Sequence, residues 1–538
     1  MKLNYKKVFY VGLAFFLITI FWQTYDSIIA KILIDKFGLN HFWSGVVMAL
    51  DNILALILLP LFGAISDRTN HKRGRRTPFV IVGTIVAAFA FMALTFVDNA
   101  QTTKINQTQI VEKYEASSGT YDVRKEVLFW DDLLTDMKTE RDSALANNNI
   151  DQARYDKWHN DIYLKMQDQL ANSDSEGKIN AGEVAYLDGY YTTYLSNLAW
   201  EVTIQNPANL IIFIGILFVA LIAMSLFRSP AVSLMPDVTI KPLRSKANAI
   251  INLMGAGAGV TSLILLTIFG LDGKSYVNYM WAFISVGTIM LIVLVIFLLK
   301  VNEPKLVQEK IKEDELYGIT EEDEEDGEAE KMNELPKDKK LSLYLILLSV
   351  FLWFMGYNAI MTKVSDYAPK ILQLPSFTIP LLIANVTAIL AFIPIGIVST
   401  KIGRKKAILL GIILLTLCFG TIFFVNQDTP VVILYAIFGL TGIGWATINV
   451  NSYPMVVELS KGSNVGKYTG YYYSFSMAAQ ILTPIFSGFL MDQIHQKVLF
   501  PYATIFVALA FFTMFFVKHG DAQVIKRSVL ESFDVDMD

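Results

Sequence analysis

Three charged side chains interrupt otherwise apolar runs: Asp26, Asp51 and Arg228. At the centre of a bilayer such a charge costs ~2.5–3.5 kcal/mol on insertion scales, so each one invites a functional reading. Asp26 stands about eight residues from the end of its run and Asp51 about nine from the start of the next, which brings them to similar depth at ~1.5 Å per residue. Two carboxylates at one depth can exchange a proton, or ligate sodium together with neighbouring oxygens. The bland alternative is an acid near the interface that reaches water or caps a broken helix. Arg228 offers a planar fork of donors suited to sugar hydroxyls or to a carboxylate. A gate that pairs with an acid is the competing reading.

Counting back from the matching acids Asp237 and Glu458, the residue that mirrors Arg228 is Asn449. It lies in Trp445-Ala-Thr-Ile-Asn449-Val-Asn451-Ser452-Tyr453-Pro454, where two amides and two aromatic rings can hydrogen-bond and stack on a pyranose. Helix packing through Asn hydrogen bonds explains the same residues. Gln23, Asn358, Tyr472 and Asn385, the last at the offset of Asn52 in the second half, complete the candidate lining.

The elements that must hold these residues are hydrophobic. The chain has 538 residues, 54% of them hydrophobic and 17% charged, with a mean hydropathy of +0.44. That is too much apolar surface for a soluble protein to hide. Apolar runs fall near 8–30, 42–65, 79–97, 208–235, 247–270, 278–299, 341–363, 377–399, 405–425, 430–453, 468–490 and 499–517. A span needs ~20 such residues, which gives about twelve spans, six on each side of an acidic stretch. The net charge of −4 averages that stretch with basic loops and says little. Lys and Arg crowd the loops on one side, including 68–76 and 401–406, so both termini are expected in the cytoplasm, with the plasma membrane as the location. The first run is too long for a signal-peptide core and lacks a cleavage site, so it reads as the first helix. The single cysteine, Cys418, excludes an internal disulfide.

One unit appears twice. Gly63-Ala-Ile-Ser66-Asp67-Arg68…Gly74-Arg75-Arg76 joins two apolar runs, and Gly396-Ile-Val-Ser399-Thr400-Lys401-Ile-Gly403-Arg404 does the same much later. A repeated helix–basic loop–helix unit implies two similar halves. The string G-x-x-S-D-R…G-R-R resembles the signature loop of the major facilitator superfamily. The longer S-D-R-x5-G-R-R-x-P-F is similar to the glycoside–pentoside–hexuronide:cation symporters and the sucrose-transporter group. The resemblance covers both apolar halves but not 98–206 or 301–340. It implies an all-α, twelve-helix fold of two six-helix bundles. Asp237-x6-Arg244 resembles the acid-x6-Arg element of sugar porters, which implies that Asp237 pairs with arginines of the 68–76 loop and closes the cytoplasmic side. Asp67 is expected at a helix N-terminus of the other half, an electrostatic latch. With Gly63, Arg68, Arg75, Arg76, Arg244 and Glu458 these residues form the expected gate. In sucrose-type carriers an Arg in the fourth helix is tied to substrate, and Arg228-Ser-Pro230-Ala is similar. Melibiose-type symporters carry paired Asp where this chain has Ala55 and Leu59, which speaks against sodium coupling of that kind.

Two polar segments stand outside the halves. Residues 98–206 read as an extracytoplasmic helical insertion. Within them, Asn172-x-Asp174-x-Glu176-Gly177-Lys-Ile179-Asn180-x-x-Glu183 follows the spacing of an EF-hand loop, with Asp174, Glu176 and Glu183 as calcium ligands. A helical decoration without chemistry is the alternative. Residues 301–340, with Glu-Glu-Asp-Glu-Glu-Asp at 321–326, read as a solvated, disordered tether. The expected organisation is a bundle over 1–300, the linker 301–340, a second bundle over 341–517 and a cytoplasmic tail over 518–538.

The expected function is secondary active uptake of a glycoside or oligosaccharide, with H+ or Na+ as coupling ion and protons favoured. An exporter of drugs or metabolites is the alternative, but the Gly255, Gly257, Gly259 run lacks the Gly-Pro pair usual in proton-driven drug exporters. A non-transporting receptor is a third reading. No nucleotide loop or nucleophile constellation is present, so no enzyme is expected. The expected partners are a small-molecule sugar and the lipid bilayer, with no nucleic acid, in a monomer.

Overall fold

A computed structural model describes residues 4–106, 109–117, 121–171, 177–240, 243–271, 276–317, 336–372, 374, 376–425, 429–459 and 465–520. The first half is built from α1 (Tyr5–Asp35), α2 (His41–Arg68) and α3 (Thr77–Asn106), then an insertion, then α10 (Ala208–Val238), α11 (Arg244–Ile268) and α12 (Met280–Lys300). The insertion contains α4 (Gln109–Ala116), α5 (Tyr121–Arg124), α6 (Val127–Ala146), α7 (Gln152–Trp158), α8 (Leu164–Ala171) and α9 (Ala181–Gln205). Next comes α13 (Glu303–Tyr317), followed by α14 (Lys337–Lys370), α15 (Thr378–Ile402), α16 (Arg404–Phe423), α17 (Val431–Val457), α18 (Val465–Gln493) and α19 (Leu499–Phe515).

Eleven of these helices are long and apolar enough to cross a membrane; α15 adds a shorter apolar stretch, Thr378–Phe392. Many exceed the ~20 residues that a hydrocarbon core requires. The 31 residues of α1 span ~46 Å at ~1.5 Å each, so its ends project beyond the apolar slab. Polar residues set the starts of the first two helices. Asn4 Oδ1 accepts from the Lys7 N–H at 3.1 Å, and Asn40 Oδ1 accepts from the Trp43 N–H at 2.9 Å. Each bond satisfies one of the orphan donors of a first helical turn.

Three apolar cores result. One is shared by α1, α2, α3, α10, α11 and α12. A second belongs to α14–α19 and also takes in Leu263 of α11. The insertion has its own core around Trp130, Met137, Met166, Tyr191 and Tyr194. It is fixed to the bundle because α9 runs into α10 through Pro207. A buried polar knot adds to this: Gln101 Nε2 donates to Lys36 O and to Thr203 Oγ1, while its Oε1 accepts from Asn209.

The linker departs from expectation. Residues 303–317 form α13, which packs on the first half through Leu306 and Val307. Their acidic composition hides a buried residue: Glu303 is only 2% exposed. The acidic run 321–326 lies outside the described residues.

Candidate functional site

The three charges converge in the first half, from three different helices. Asp26 is on α1, Asp51 on α2 and Arg228 on α10, and none is fully exposed. The Arg228 guanidinium lies over the Trp22 ring at 5.7 Å. It is electrostatically coupled to Asp51, to Asp26 and to Tyr473, the last on α18 of the other half. Asp51 Oδ1 accepts from the backbone and side-chain nitrogens of Asn52, at 2.5 and 2.7 Å. The Trp22 Nε1–H and the Tyr25 hydroxyl are buried here and have no hydrogen-bond partner in the protein. A polar cluster with spare donors, facing the other half, can take a ligand rich in oxygen.

The other predicted lining residues divide. Gln23 sits between α1 and α11: its Nε2 donates to Ser27 at 3.3 Å, and a Cβ on Gly259 would lie 3.3 Å from its Oε1. This is why α11 needs small residues on that face. Thr24 and Ser262 join the same two helices at 2.6 Å. Trp445 stacks on Tyr357, with centroids 3.6 Å apart and planes within 1°. Asn449 is half-buried on the same helix as Trp445. The Asn358 Nδ2 is buried without a partner. By contrast, Asn385 and Asn451 donate back to Leu381 O and Thr447 O of their own helices. Tyr472 bonds Ser452 at 3.0 Å within the second core. Those three follow the packing reading. Tyr473, next along the chain, is 54% exposed and lies beside Tyr453 and Tyr472.

At the end that carries the basic loops, Arg76 is the hub. It is 5% exposed and pairs with Asp67 at 2.5 Å and Asp237 at 2.8 Å. It also donates to Ser66 Oγ at 2.5 Å. Arg75 adds a second bond to Asp237 at 2.6 Å. Asp237 therefore meets the loop arginines as the motif implied. Among the described residues Asp67 is paired within its own half; the basic-loop ends of the two halves are apart in this conformation, so the latch expected of it is not formed here. Arg76 folds back under α2 and claims its carboxylate. A Cβ on Gly63 would lie 2.8 Å from Ser229 Oγ, so glycine lets α2 and α10 approach. The second half repeats the arrangement: Ser66 bonds Gly63 O at 2.8 Å and Ser399 bonds Gly396 O at 3.0 Å. Arg404 pairs with Glu458 at 3.1 Å. Arg68 is exposed at the end of α2, and the Arg244 side chain lies outside the described residues.

Sequence reasoning missed Glu303. Its carboxylate accepts the N–H groups of Arg75, Arg76 and Thr77 at 2.8–2.9 Å and the Thr77 hydroxyl at 2.7 Å. It closes the N-terminus of α3, where backbone donors and the helix dipole favour an anion. Gly74, with φ +104°, lets the loop pass: a Cβ there would lie 2.2 Å from Glu303 Cδ. Gly74→Ala combines a strained φ with that clash. The first alone costs ~1–3 kcal/mol, so the variant should melt several degrees below wild type in a fluorescence thermal-shift assay.

At the opposite end, beside the insertion, the halves meet. Lys370 of α14 pairs with Asp35 of α1 at 2.6 Å and with Asp366 on its own helix; Lys31 pairs with Asp35 at 2.9 Å. Lys363 Nζ donates to His41 O at 2.9 Å. Asp492 of α18 accepts the N–H groups of His41 and Phe42 at 3.0 and 2.8 Å. Thr267 of α11 and Thr378 of α15 bond at 2.7 Å. A Cβ on Gly45 would lie 2.0 Å from Pro484 O, and one on Gly488 would lie 2.2 Å from His41 O, so α2 and α18 touch backbone to backbone. Among the described residues, the ion pairs between halves gather at this end, while those of the basic-loop end stay within one half. The arrangement is closed beside the insertion.

Lys36 and Lys370, at the end away from the basic loops, are both paired with carboxylates. Lys36 is fully buried against Asp98 at 2.6 Å and Val277 O at 2.7 Å. In the insertion, Glu183 and Asn180 form a capping box at the start of α9. Asp174 and Glu176 lie outside the described residues. The described residues contain no cluster of three or more metal-ligating side chains.

The Major Facilitator Superfamily model matches residues 192–438 and 377–530, and the model described as MFS/sugar transport protein matches residues 10–110. A stretch of 61 residues is 31% identical to a sucrose transport protein of Arabidopsis thaliana; it covers 11% of this chain and 12% of that relative. Three solved structures share the fold. The xylose transporter XylE from E. coli aligns over 99% of both chains with a TM-score of 0.51 and 14% identity. The nucleoside transporter NupG aligns over 96% of this chain and 100% of its own, at 0.53 and 11%. A bacterial homologue of the iron transporter ferroportin aligns over 96% and 99%, at 0.55 and 12%. With its duplicated loop, its two apolar cores and these matches, the chain belongs to the major facilitator superfamily and is an integral membrane transporter, not an enzyme.

Proposed function

We propose that the protein takes up a glycoside or oligosaccharide together with protons, with the basic loops and both termini in the cytoplasm and the insertion outside. The observation that carries this reading is the placement of Asp26, Asp51 and Arg228 on three packed helices of the first half, inside apolar runs, with the guanidinium over the Trp22 ring. A guanidinium, a Trp ring and unsatisfied amide and hydroxyl donors suit a neutral, oxygen-rich ligand. The two nearby carboxylates supply a site that can gain and lose a proton as the ligand comes and goes. The match of the N-terminal segment to a sugar-transport model and the short identity with a sucrose transport protein support the same substrate class.

Orientation follows from the excess of Lys and Arg at the loop end. It is reinforced by the burial of Lys36 and Lys370, which removes two positive charges from the opposite side. With that orientation the described conformation is closed to the outside. Alternating access then requires the contacts at the outer end to break as the basic-loop ends approach each other.

Adding a transported sugar to a weakly buffered suspension of de-energised cells should make the medium more alkaline. Asp51→Asn should abolish that pH change while preserving exchange of labelled sugar across the membrane. Uptake that depends on sodium, with no proton movement, would overturn the proton assignment.

A further inference from the structure

Above the closed outer end lies a cleft of about 840 Å³, roofed by α9 and floored by the residues that join the halves. It falls within the range of small-ligand sites, roughly 300–1,000 Å³. The roof is one face of a helix. Tyr186, Tyr190, Thr193, Asn197 and Trp200 follow one another at spacings of four, three, four and three, so they share one side of α9. The opposite side, with Leu187, Tyr191, Tyr194 and Ala199, is buried in the insertion core. Tyr186 and Trp200 are each 43% exposed, although large rings on a helix that already has a core partner have no structural need to face solvent.

The roof is held in a fixed place. Gly38, with φ +67°, brings α1 against α9 so closely that a Cβ would lie 2.4 Å from Trp200 N. The floor carries Asn40, His41, Lys370, Asp492 and Gln496. His41, Lys370 and Asp492 are the same groups that hold the halves together.

We propose that this cleft is an outer saccharide-binding vestibule, in which a sugar loads before the halves open and touches the gate while it does so. Flat aromatic faces stack on the C–H face of a pyranose, and the amides, hydroxyls and charges around them bond its hydroxyls. An apolar ligand would offer no partner to the hydroxyls of Tyr186, Tyr190 and Thr193 or to the amides of Asn197 and Gln496 that face it. The inference rests on the saccharide reading of the central site, and it adds a second molecule bound to the same chain.

Equilibrium dialysis of the purified full-length protein tests it, with labelled sucrose, maltose and lactose as probes. The transported probe should bind at two molecules per chain in wild type. Arg228→Ala should keep only the vestibule molecule. Tyr190→Ala with Trp200→Ala should keep only the central one, and transport at saturating sugar should persist with a several-fold higher KM. Thr193→Trp, which fills the cleft without removing a packed ring, should give the same count as the double variant. One molecule per chain in wild type, unchanged by Thr193→Trp, overturns the vestibule and leaves the central site standing. Two molecules that both survive Arg228→Ala overturn the central assignment instead. Binding of none of the three probes overturns both.

Discussion

Replacing Arg228 with Ala is expected to lower sugar transport by roughly ten- to more than a hundredfold, without loss of folded protein. Hydrogen bonds to a charged group contribute ~1.5–3 kcal/mol each, and each ~1.4 kcal/mol is a factor of ten. The guanidinium stands over Trp22, on the helix that carries Asp26 and beside the helix that carries Asp51. Its removal therefore acts on substrate contact and also leaves Asp26 and Asp51 without their cation. Arg228→Lys should restore little, because an ammonium lacks the planar fork. Initial rates of labelled-sugar uptake in proteoliposomes, normalised to protein by size-exclusion profile, measure the effect. Wild-type rates in Arg228→Ala would remove the residue from the site.

The second large effect should come from the outer end. Lys370→Ala leaves Asp35 and Asp366 in a buried setting with one cation fewer. Breaking a buried pair by removing one partner costs ~3–5 kcal/mol. The part of that cost due to Asp35 falls on the state in which the halves meet, so the balance should move toward the outward-open state by up to roughly a hundred- to several-thousandfold. In a Cys418→Ser background, a cysteine placed at Asn52 on α2, below the gate, reports the change. A membrane-impermeant maleimide added from outside should label it many times faster in Lys370→Ala than in the parent. Equal labelling would show that the pair does not hold the outer end shut. The same substitution should slow net uptake, because a carrier caught in one state cannot complete its cycle.

How much of this was legible in the sequence depends on the physics of each part. The helices were plain, because ~20 apolar residues in a row have few other fates. The duplicated loop was plain too, since Gly63, Ser66, Arg76 and Asp237 act at fixed spacing along two helices. Asp26, Asp51 and Arg228 stood out because the membrane makes them costly. Neutral residues were harder. Asn385, Asn451 and Tyr472 look like Asn358 and Tyr473 on paper, but a half-turn of helix decides whether an amide bonds its own backbone or faces the interface. Trp22 and Tyr357 carry no signal against an apolar background and needed the fold. Glu303 was invisible for the opposite reason: one acid among many, it is singled out only by the N-terminus of α3 that it meets. The Asp67–Arg76 pair was not legible because Arg76 lies nine positions on, and the turn at Gly74 that brings it back depends on a left-handed φ.

The central claim is that the charged cluster of the first half couples a proton to a sugar. Proteoliposomes loaded at alkaline pH and diluted into acidic medium test it, with labelled sucrose, maltose and lactose outside. The account predicts that at least one sugar accumulates above its external concentration, that a protonophore collapses the accumulation, and that Asp51→Asn equilibrates the sugar without concentrating it. Failure of all three sugars to accumulate, or accumulation by Asp51→Asn equal to wild type, would contradict it.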